Sequence, residues 1–296
     1  MAILKNTVIN DTAGMKIPTG TTAQRPANPV DGDCRYNTEL GHVEYYFKGF
    51  WVNASSEEGL FTNRGNVVWL DATNTASYPG NGTTWFDMSG NNHNFSILSS
   101  AYKTDDGAVC DIPGYMDFDG SNGSAKYPNS NNIISGNVTY MLVTRVRTDN
   151  VQWRTLTRHY SGDHHVIIQD GGWDMGMYDN DAGNFRSLGY DQRNLPSQTN
   201  TSAGYAWEVQ AYRWRTDDNP SLEMFVNGVS VASRVDSQCR YDRGIGALGA
   251  YGDANNDPNN ATQPWGHIKF FTAHNVILSD EEIVKNTVAL RSRFGI

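Results

Sequence analysis

The sequence predicts a mainly-β chain: a two-sheet sandwich closed by Greek-key connections, with a short C-terminal helix, preceded by a small β or extended module. Three observations predict it. The 296 residues include 29 glycines, and only 19% are charged. Short apolar runs are separated by segments rich in Asp, Asn, Ser and Thr, which is the composition of many strands joined by turns, because Gly and Asn accept positive φ. One stretch alone, near the C terminus, combines helical spacing with a capping signal.

The first segment, residues 1–62, differs from the rest. It opens with an apolar–polar stretch from Ile3 to Ile9 and becomes loop-like through Gly20-Thr21-Thr22-Ala23-Gln24-Arg25-Pro26. After Pro29, Val30 and Gly32 comes Cys34-Arg35-Tyr36-Asn37-Thr38. Val43, Tyr45 and Phe47 then alternate with Glu44, Tyr46 and Lys48, and Gly49 precedes Phe50-Trp51-Val52, a hairpin pattern. So small a β unit holds too little core to stand alone, so it needs a partner: another copy, the large domain or another protein.

Residues 63–296 form the main domain. Val67-Val68-Trp69-Leu70 is a compact apolar strand. Val138, Tyr140, Leu142, Thr144 and Val146 alternate with Thr139, Met141, Val143 and Arg145, a strand buried on both faces. His165 to Ile168 is a further short run. Trp207, Val209, Ala211 and Arg213 alternate with Glu208, Gln210 and Tyr212, which suits a half-buried strand. Leu222, Met224 and Val226 share a face and lead into Asn227-Gly228, a hairpin turn continued by Val229 and Val231. Ile268, Phe270 and Ala273 mark a late strand. Ser279 and Glu282 form a capping box for a helix carrying Ile283, Thr287 and Leu290 at helical spacing.

Charge and cysteines narrow the class. The net charge of −9, with scattered basic residues, gives no nucleic-acid surface. Cys34, Cys110 and Cys239 are odd in number and widely spaced, so free and mostly buried thiols are expected, with one distant disulfide as the alternative. Met1 to Asn6 has no apolar core of a signal peptide, and no run reaches membrane-spanning length. Asn81-Gly82-Thr83 and Asn122-Gly123-Ser124 match the glycosylation sequon and are expected to be turns.

Two signatures frame the main domain. One is Leu70-Asp71-Ala72 followed by Ser77 to Asn91, with Trp85, Asp87, Ser89, Gly90 and Asn91. The other runs from Ile277 to Glu282 and ends on Arg293-Phe294-Gly295-Ile296. Together with Phe118-Asp119-Gly120-Ser121-Asn122, they resemble a concanavalin A-like (laminin G-like) jelly-roll domain of bacteriophage tail and fibre proteins. The Gly20–Pro26 segment, Arg35-Tyr36-Asn37-Thr38 and Gly49-Phe50-Trp51 resemble a short module recurrent in phage virion proteins. The resemblance implies a virion protein, tail fibre or adhesin-like. Its N-terminal module would attach to other virion proteins or form a homo-oligomer, a trimer first, and its lectin-like domain would meet host-surface glycans. A head fibre, collar or capsid decoration protein without sugar binding is the alternative, and a polysaccharide depolymerase a more distant one. Gly123-Ser124-Ala125 departs from the acidic and aromatic residues that relatives carry after the Phe118 string.

Sugar recognition needs aromatic faces and polar groups for hydroxyls. The chain has eight Trp and fifteen Tyr. The candidate ligand surface comprises the loops around Trp173 and Tyr251, with Tyr178 and Trp265, whereas Trp69, Trp85 and Trp207 are expected to pack. Asp253, Asn255 and Asp257 place oxygens at alternate positions, a pattern that suits calcium or, more simply, a polar loop of Asx turns. The stretch from Asp174 to Asn184, with Asp179, Asp181 and Gly183, carries the same two readings. Asp163-His164-His165 reads as a turn leading into a strand, since adjacent strand residues point to opposite faces. No Glu-x-Asp-x-x-Glu run, nucleophile elbow, P-loop or HExxH motif occurs, and Glu208 and Glu223 remain an isolated pair. The sequence therefore predicts no enzyme.

Overall fold

The computed structural model describes residues 16–47, 50–54, 61–98, 101–104, 113–118, 125–127, 136–146, 153–158, 164–168, 174–179, 184–191, 206–215, 221–235, 245–249 and 264–296. The chain divides into two units, residues 1–61 and 62–296.

The smaller unit holds a four-stranded sheet in the order β1-β2-β3-β4, built from β1 (Thr19–Gly20), β2 (Cys34–Asn37), β3 (His42–Phe47) and β4 (Phe50–Asn53). β1 pairs parallel with β2 and the other pairs are antiparallel. Its buried side is ionic. Glu44 accepts two hydrogen bonds from Arg25, at 3.2 and 2.6 Å, and a third from Asn37 at 3.2 Å, and lies 3.7 Å from the Arg35 guanidinium. Arg35 in turn donates to the Thr21 carbonyl, and Asn37 to the Thr22 hydroxyl. Both guanidinium groups sit 5.9 Å from the Trp51 ring centroid. The residues that carry the module's sequence pattern thus converge on one polar cluster. Burial works to raise the Glu44 pKa, but the bonds from Arg25 and Asn37 and the two arginine charges outweigh it and hold the carboxyl below its usual range.

The larger unit is the expected mainly-β sandwich. One sheet has the order β18-β17-β16-β11-β20-β9-β8, with β5 also pairing β20. Its strands are β5 (Asn66–Asp71), β8 (Tyr102–Lys103), β9 (Tyr115–Phe118), β11 (Val138–Val146), β16 (Glu208–Trp214), β17 (Leu222–Val226), β18 (Val229–Arg234) and β20 (Gly266–His274). The second sheet has the order β15-β14-β13-β12-β19-β10-β7-β6. It contains β6 (Thr84–Trp85), β7 (Phe95–Ser96), β10 (Ala125–Lys126), β12 (Arg154–Arg158), β13 (His164–Ile168), β14 (Asp174–Asp179), β15 (Asn184–Asp191) and β19 (Ala247–Leu248). The core lies where the inner faces meet. Tyr140, Leu142, Tyr212, Trp214, Leu222, Met224 and Phe271 come from the first sheet, and Leu156, Val166, Ile168, Met175 and Met177 from the second.

β11 is buried on both faces, as its sequence pattern predicts. β16 departs from expectation: every residue of it is buried, not half of them. Its inner face is Gln210, Tyr212 and Trp214, and its outer face carries Arg213. Arg213 donates to Glu223 and to the Leu278 carbonyl, and pairs with Asp280. Asp280 opens α1 (Asp280–Phe294), which lies near β16 and covers that outer face. Alternation alone does not reveal a helix arriving from 70 residues downstream. The Ser279–Glu282 capping box closes as its spacing predicts. Asn227 and Gly228 both take positive φ, 49° and 82°, which makes the tight turn between β17 and β18.

The two framing signatures are structural. Asp87 accepts from the amides of Trp69, Ser89 and His93 and from the Ser89 hydroxyl, fixing the turn beside β5. Trp85 is fully buried. Asp71, also fully buried, accepts from Arg293 at 2.5 Å on one oxygen and from the Thr73 amide and hydroxyl on the other. The start of the domain and its last helix are therefore locked together. Cys34 is free but exposed, which corrects the expectation of burial for that thiol; Cys110 and Cys239 lie outside the described residues. Among the described residues no helix is long and apolar enough to cross a membrane.

A buried histidine beside α1 carries a pH prediction. His274 Nδ1 donates to the Arg64 carbonyl at 2.9 Å, and Arg64 pairs with Glu282 at 2.6 Å. Burial lowers the His274 pKa to about 4, against the raising effect of that hydrogen bond and of the Glu282 charge. The unfolded imidazole titrates near 6.5, so below that pH the unfolded chain binds the extra proton first. Stability is full above pH 6.5 and falls as pH drops from 6.5 through 4, by about 3 kcal/mol from this group. Urea unfolding of wild type and His274→Gln across that window checks it: the variant's profile should be flatter.

Candidate functional site

Strand alternation puts Asp174, Gly176 and Tyr178 of β14 on the outer face of the second sheet, since Met175 and Met177 point into the core. Tyr178 lies directly across from Phe185 of β15. Trp153, just ahead of β12, completes a cluster: its ring centroid is 6.1 Å from Tyr178 and 6.0 Å from Phe185, each at 69°. All three rings are half-buried. Gly176 makes the cluster possible, because a Cβ there would stand 2.9 Å from the Phe185 ring and 2.3 Å from the Arg186 carbonyl. Buried Ile167, paired with Gly176, lies outside the inter-sheet core on this same face.

Polar groups flank the rings. Ser187, opposite Gly176, donates its hydroxyl to Asp174 Oδ2. Asp174 Oδ1 is buried and accepts no hydrogen bond. The three half-buried rings form a surface that can stack an apolar ring face.

A second cluster occupies the outer face of the first sheet. Arg145, His267 and Asp117 stand side by side on β11, β20 and β9. Arg145 Nε donates to His267 Nδ1 at 2.8 Å, so that nitrogen is the unprotonated one, and Nε2 faces Asp117 at 3.2 Å. Arg145 and Lys269 lie 5.0 and 4.8 Å from the Trp207 ring centroid, and both also stand over Tyr115. Both His267 nitrogens are engaged, so the row is a bracing contact between three strands.

The sequence-derived candidates separate here. Tyr178 belongs to the aromatic cluster. Trp265 does not reach the surface: it is fully buried in the core, with its indole N–H donating to the Thr144 hydroxyl at 2.8 Å, which in turn donates to the His267 carbonyl. This corrects its placement as a ligand platform; a Trp flanking a late strand was taken up by the sandwich interior. Trp173, Tyr251, Asp253, Asn255 and Asp257 lie outside the described residues, as does Asp163. Asp174–Asp179 is strand rather than loop, with Asp179 paired to Asn184, and residues 180–183, with Asp181 and Gly183, lie outside the described residues. Among the described residues no cluster of three His, Cys, Asp or Glu is placed to hold a metal. Glu208 and Glu223 lie on opposite faces of the first sheet, Glu208 beside Gln210 inside and Glu223 beside Arg213 outside, so they cannot flank one bond. Sequence reasoning missed Trp153 and Phe185, whose only signal was aromatic character at strand ends.

No family model matches the chain, and no curated protein does. Its fold is similar to solved structures at low identity. A Trypanosoma rangeli sialidase in complex with 2,3-difluorosialic acid aligns at 14% identity and TM-score 0.49, covering 95% of this chain and 37% of that one. The binding domain of Paraclostridial Mosquitocidal Protein 1 aligns at 15% and 0.48, covering 75% and 52%. The carbohydrate-binding CBM40 of the Ruminococcus gnavus IT-sialidase, bound to α2,6 sialyllactose, aligns at 17% and 0.38, covering 52% and 84%. The chain spans about a third of the length of the sialidases it matches. Sialidases among these neighbours correct the expectation of a non-enzyme: the fold is shared by enzymes and carbohydrate-binding domains, and the exclusion of catalysis is withdrawn. What the sheet topology establishes is a mainly antiparallel, two-sheet β-sandwich.

Proposed function

We propose that this chain is a bacteriophage virion protein whose sandwich binds host-surface glycans through the outer face of its second sheet. The observation that carries the glycan reading is the half-buried Trp153–Tyr178–Phe185 cluster. Such rings meet one requirement of a sugar, an aromatic surface on which the apolar face of a pyranose can stack. The virion reading is supported by the N-terminal module, whose phage-like residues Thr21, Thr22, Arg25, Arg35, Asn37 and Trp51 pack into one ionic cluster. In this reading the module attaches the chain to other virion proteins.

A glycan array probed with the full chain tests the binding. A defined set of glycans is expected to bind, and Trp153→Ala should weaken the best ligand by about 10- to 30-fold, as loss of an aromatic anchor does. Unchanged binding in Trp153→Ala would exclude this face. Immunogold labelling of purified particles tests the virion assignment, and also separates a tail position from a head or collar one.

A further inference from the structure

We propose that Asn81-Gly82 is a site of spontaneous deamidation and isomerisation in the folded protein, and that the fold shields the same dipeptide at Asn227-Gly228. The co-reactant is water. The Gly82 backbone nitrogen, once deprotonated, attacks the amide carbon of the Asn81 side chain. The new C–N bond closes a five-membered succinimide, and the side-chain nitrogen takes up a proton and leaves as ammonia. Water then adds to one of the two imide carbonyls and opens the ring. Opening at the side-chain carbonyl leaves aspartate. Opening at the main-chain carbonyl leaves isoaspartate, in which the backbone runs through the former side chain. Each conversion exchanges one ammonia for one water, with no change of oxidation state.

The loop at Asn81 leaves that attack open. Asn81 and Gly82 are exposed, as are Pro79, Gly80 and Thr83 around them. Gly80 and Gly82 take φ of 87° and 90°, and neither carries a Cβ to restrict the peptide planes beside Asn81. A Cβ at Gly82 would meet nothing within 4 Å, and one at Gly80 only the edge of the Tyr102 ring at 3.9 Å. Among the described residues no hydrogen bond engages the Asn81 side chain. Tyr78 Oη donates to the Gly82 carbonyl at 3.0 Å, which holds the following peptide and not the reacting one.

Asn227-Gly228 is the internal contrast. Both residues are half-buried. Asn227 Oδ1 accepts from the Val209 amide at 3.0 Å, while the Asn227 amide donates to the Val209 carbonyl at 2.7 Å. A Cβ at Gly228 would lie 3.5 Å from the Thr287 methyl of α1, so the turn also packs against the helix. The Asn227 side chain is thus tied to β16 and reaches the Gly228 nitrogen only after those bonds open. Asn122-Gly123 lies outside the described residues. Conversion at Asn81 adds one negative charge to the net −9. Isoaspartate also inserts a methylene into the main chain that the Tyr78–Gly82 hydrogen bond spans.

Peptide mapping by mass spectrometry tests this on the full chain, aged in warm, mildly alkaline buffer and sampled over weeks. Asn81 is expected to convert at least about tenfold faster than Asn227, because ring closure at Asn227 must first break a hydrogen-bonded turn. The Asn81 peptide should carry both aspartate and isoaspartate; aspartate alone would mean direct hydrolysis and overturn the succinimide route. A parallel sample in concentrated guanidinium chloride removes the fold, and there the two rates should converge. Equal rates in the folded chain would overturn the inference. So would a rate at Asn81 that rises strongly on unfolding, since the folded loop would then protect it too. A gap that persists undiminished in denaturant would place the cause in the flanking sequence and not in the fold, and would overturn it as well.

Discussion

Replacing Arg293 by Ala is expected to destabilise the large unit by about 3–5 kcal/mol, because it strands a buried charge. Asp71 has no exposure, and its Oδ2 accepts from Arg293 at 2.5 Å, while Thr73 serves only Oδ1. Arg293 is itself partly exposed, so its own loss costs little and nearly all the effect lies in the abandoned carboxylate. The melting temperature should fall by about 6 to 20 °C. Asp71→Asn in the Arg293→Ala background should recover part of the loss, since a neutral amide is cheaper to bury than an unpaired carboxylate. If that double variant were no more stable than Arg293→Ala, the charge argument would fail.

Trp265→Ala should cost a similar amount for a different reason. The indole is fully buried and fills the space beside β20, so its removal leaves a cavity that close-packed neighbours cannot fill, at about 3–5 kcal/mol. Trp265→Phe keeps most of the volume and gives up only the bond to Thr144, so a loss of about 1 kcal/mol or somewhat more is expected. Chemical denaturation of the three proteins checks the order. Comparable losses for Ala and Phe would mean that the hydrogen bond, not the volume, holds this corner. At low temperature, where Trp265→Phe remains folded, its glycan binding should equal wild type, because the residue lies in the interior and not on the proposed binding face.

The legible parts of the fold were those fixed within a few residues. The Ser279–Glu282 capping box, the Asn227-Gly228 turn and the doubly buried β11 depend on spacing along one segment, and each is found as expected. The same holds for Asp87, whose acceptor oxygens organise the turn from Phe86 to His93. The failures involve distance. Trp265 and Tyr178 are both aromatics near strand ends, and nothing local says that one enters the core while the other lies outside it. The β16 pattern gave no sign that α1 would seal its outer face. Glu208 and Glu223 were a conceivable carboxylate pair until the register of β16 with β17 put them on opposite sides of a sheet.

Composition, turn residues and period-two alternation by themselves determined that this chain builds many short strands, one capped helix and an N-terminal unit with little apolar core. They could do so because backbone preferences and strand periodicity act between near neighbours. Only the tertiary structure decided which face of each strand meets the other sheet. It gathered Trp153, Tyr178 and Phe185 into one cluster, with Phe185 against Gly176, and buried the ionic face of the small sheet. Those outcomes depend on pairings between residues tens to hundreds of positions apart, where burial and charge compensation, not local propensity, select the arrangement.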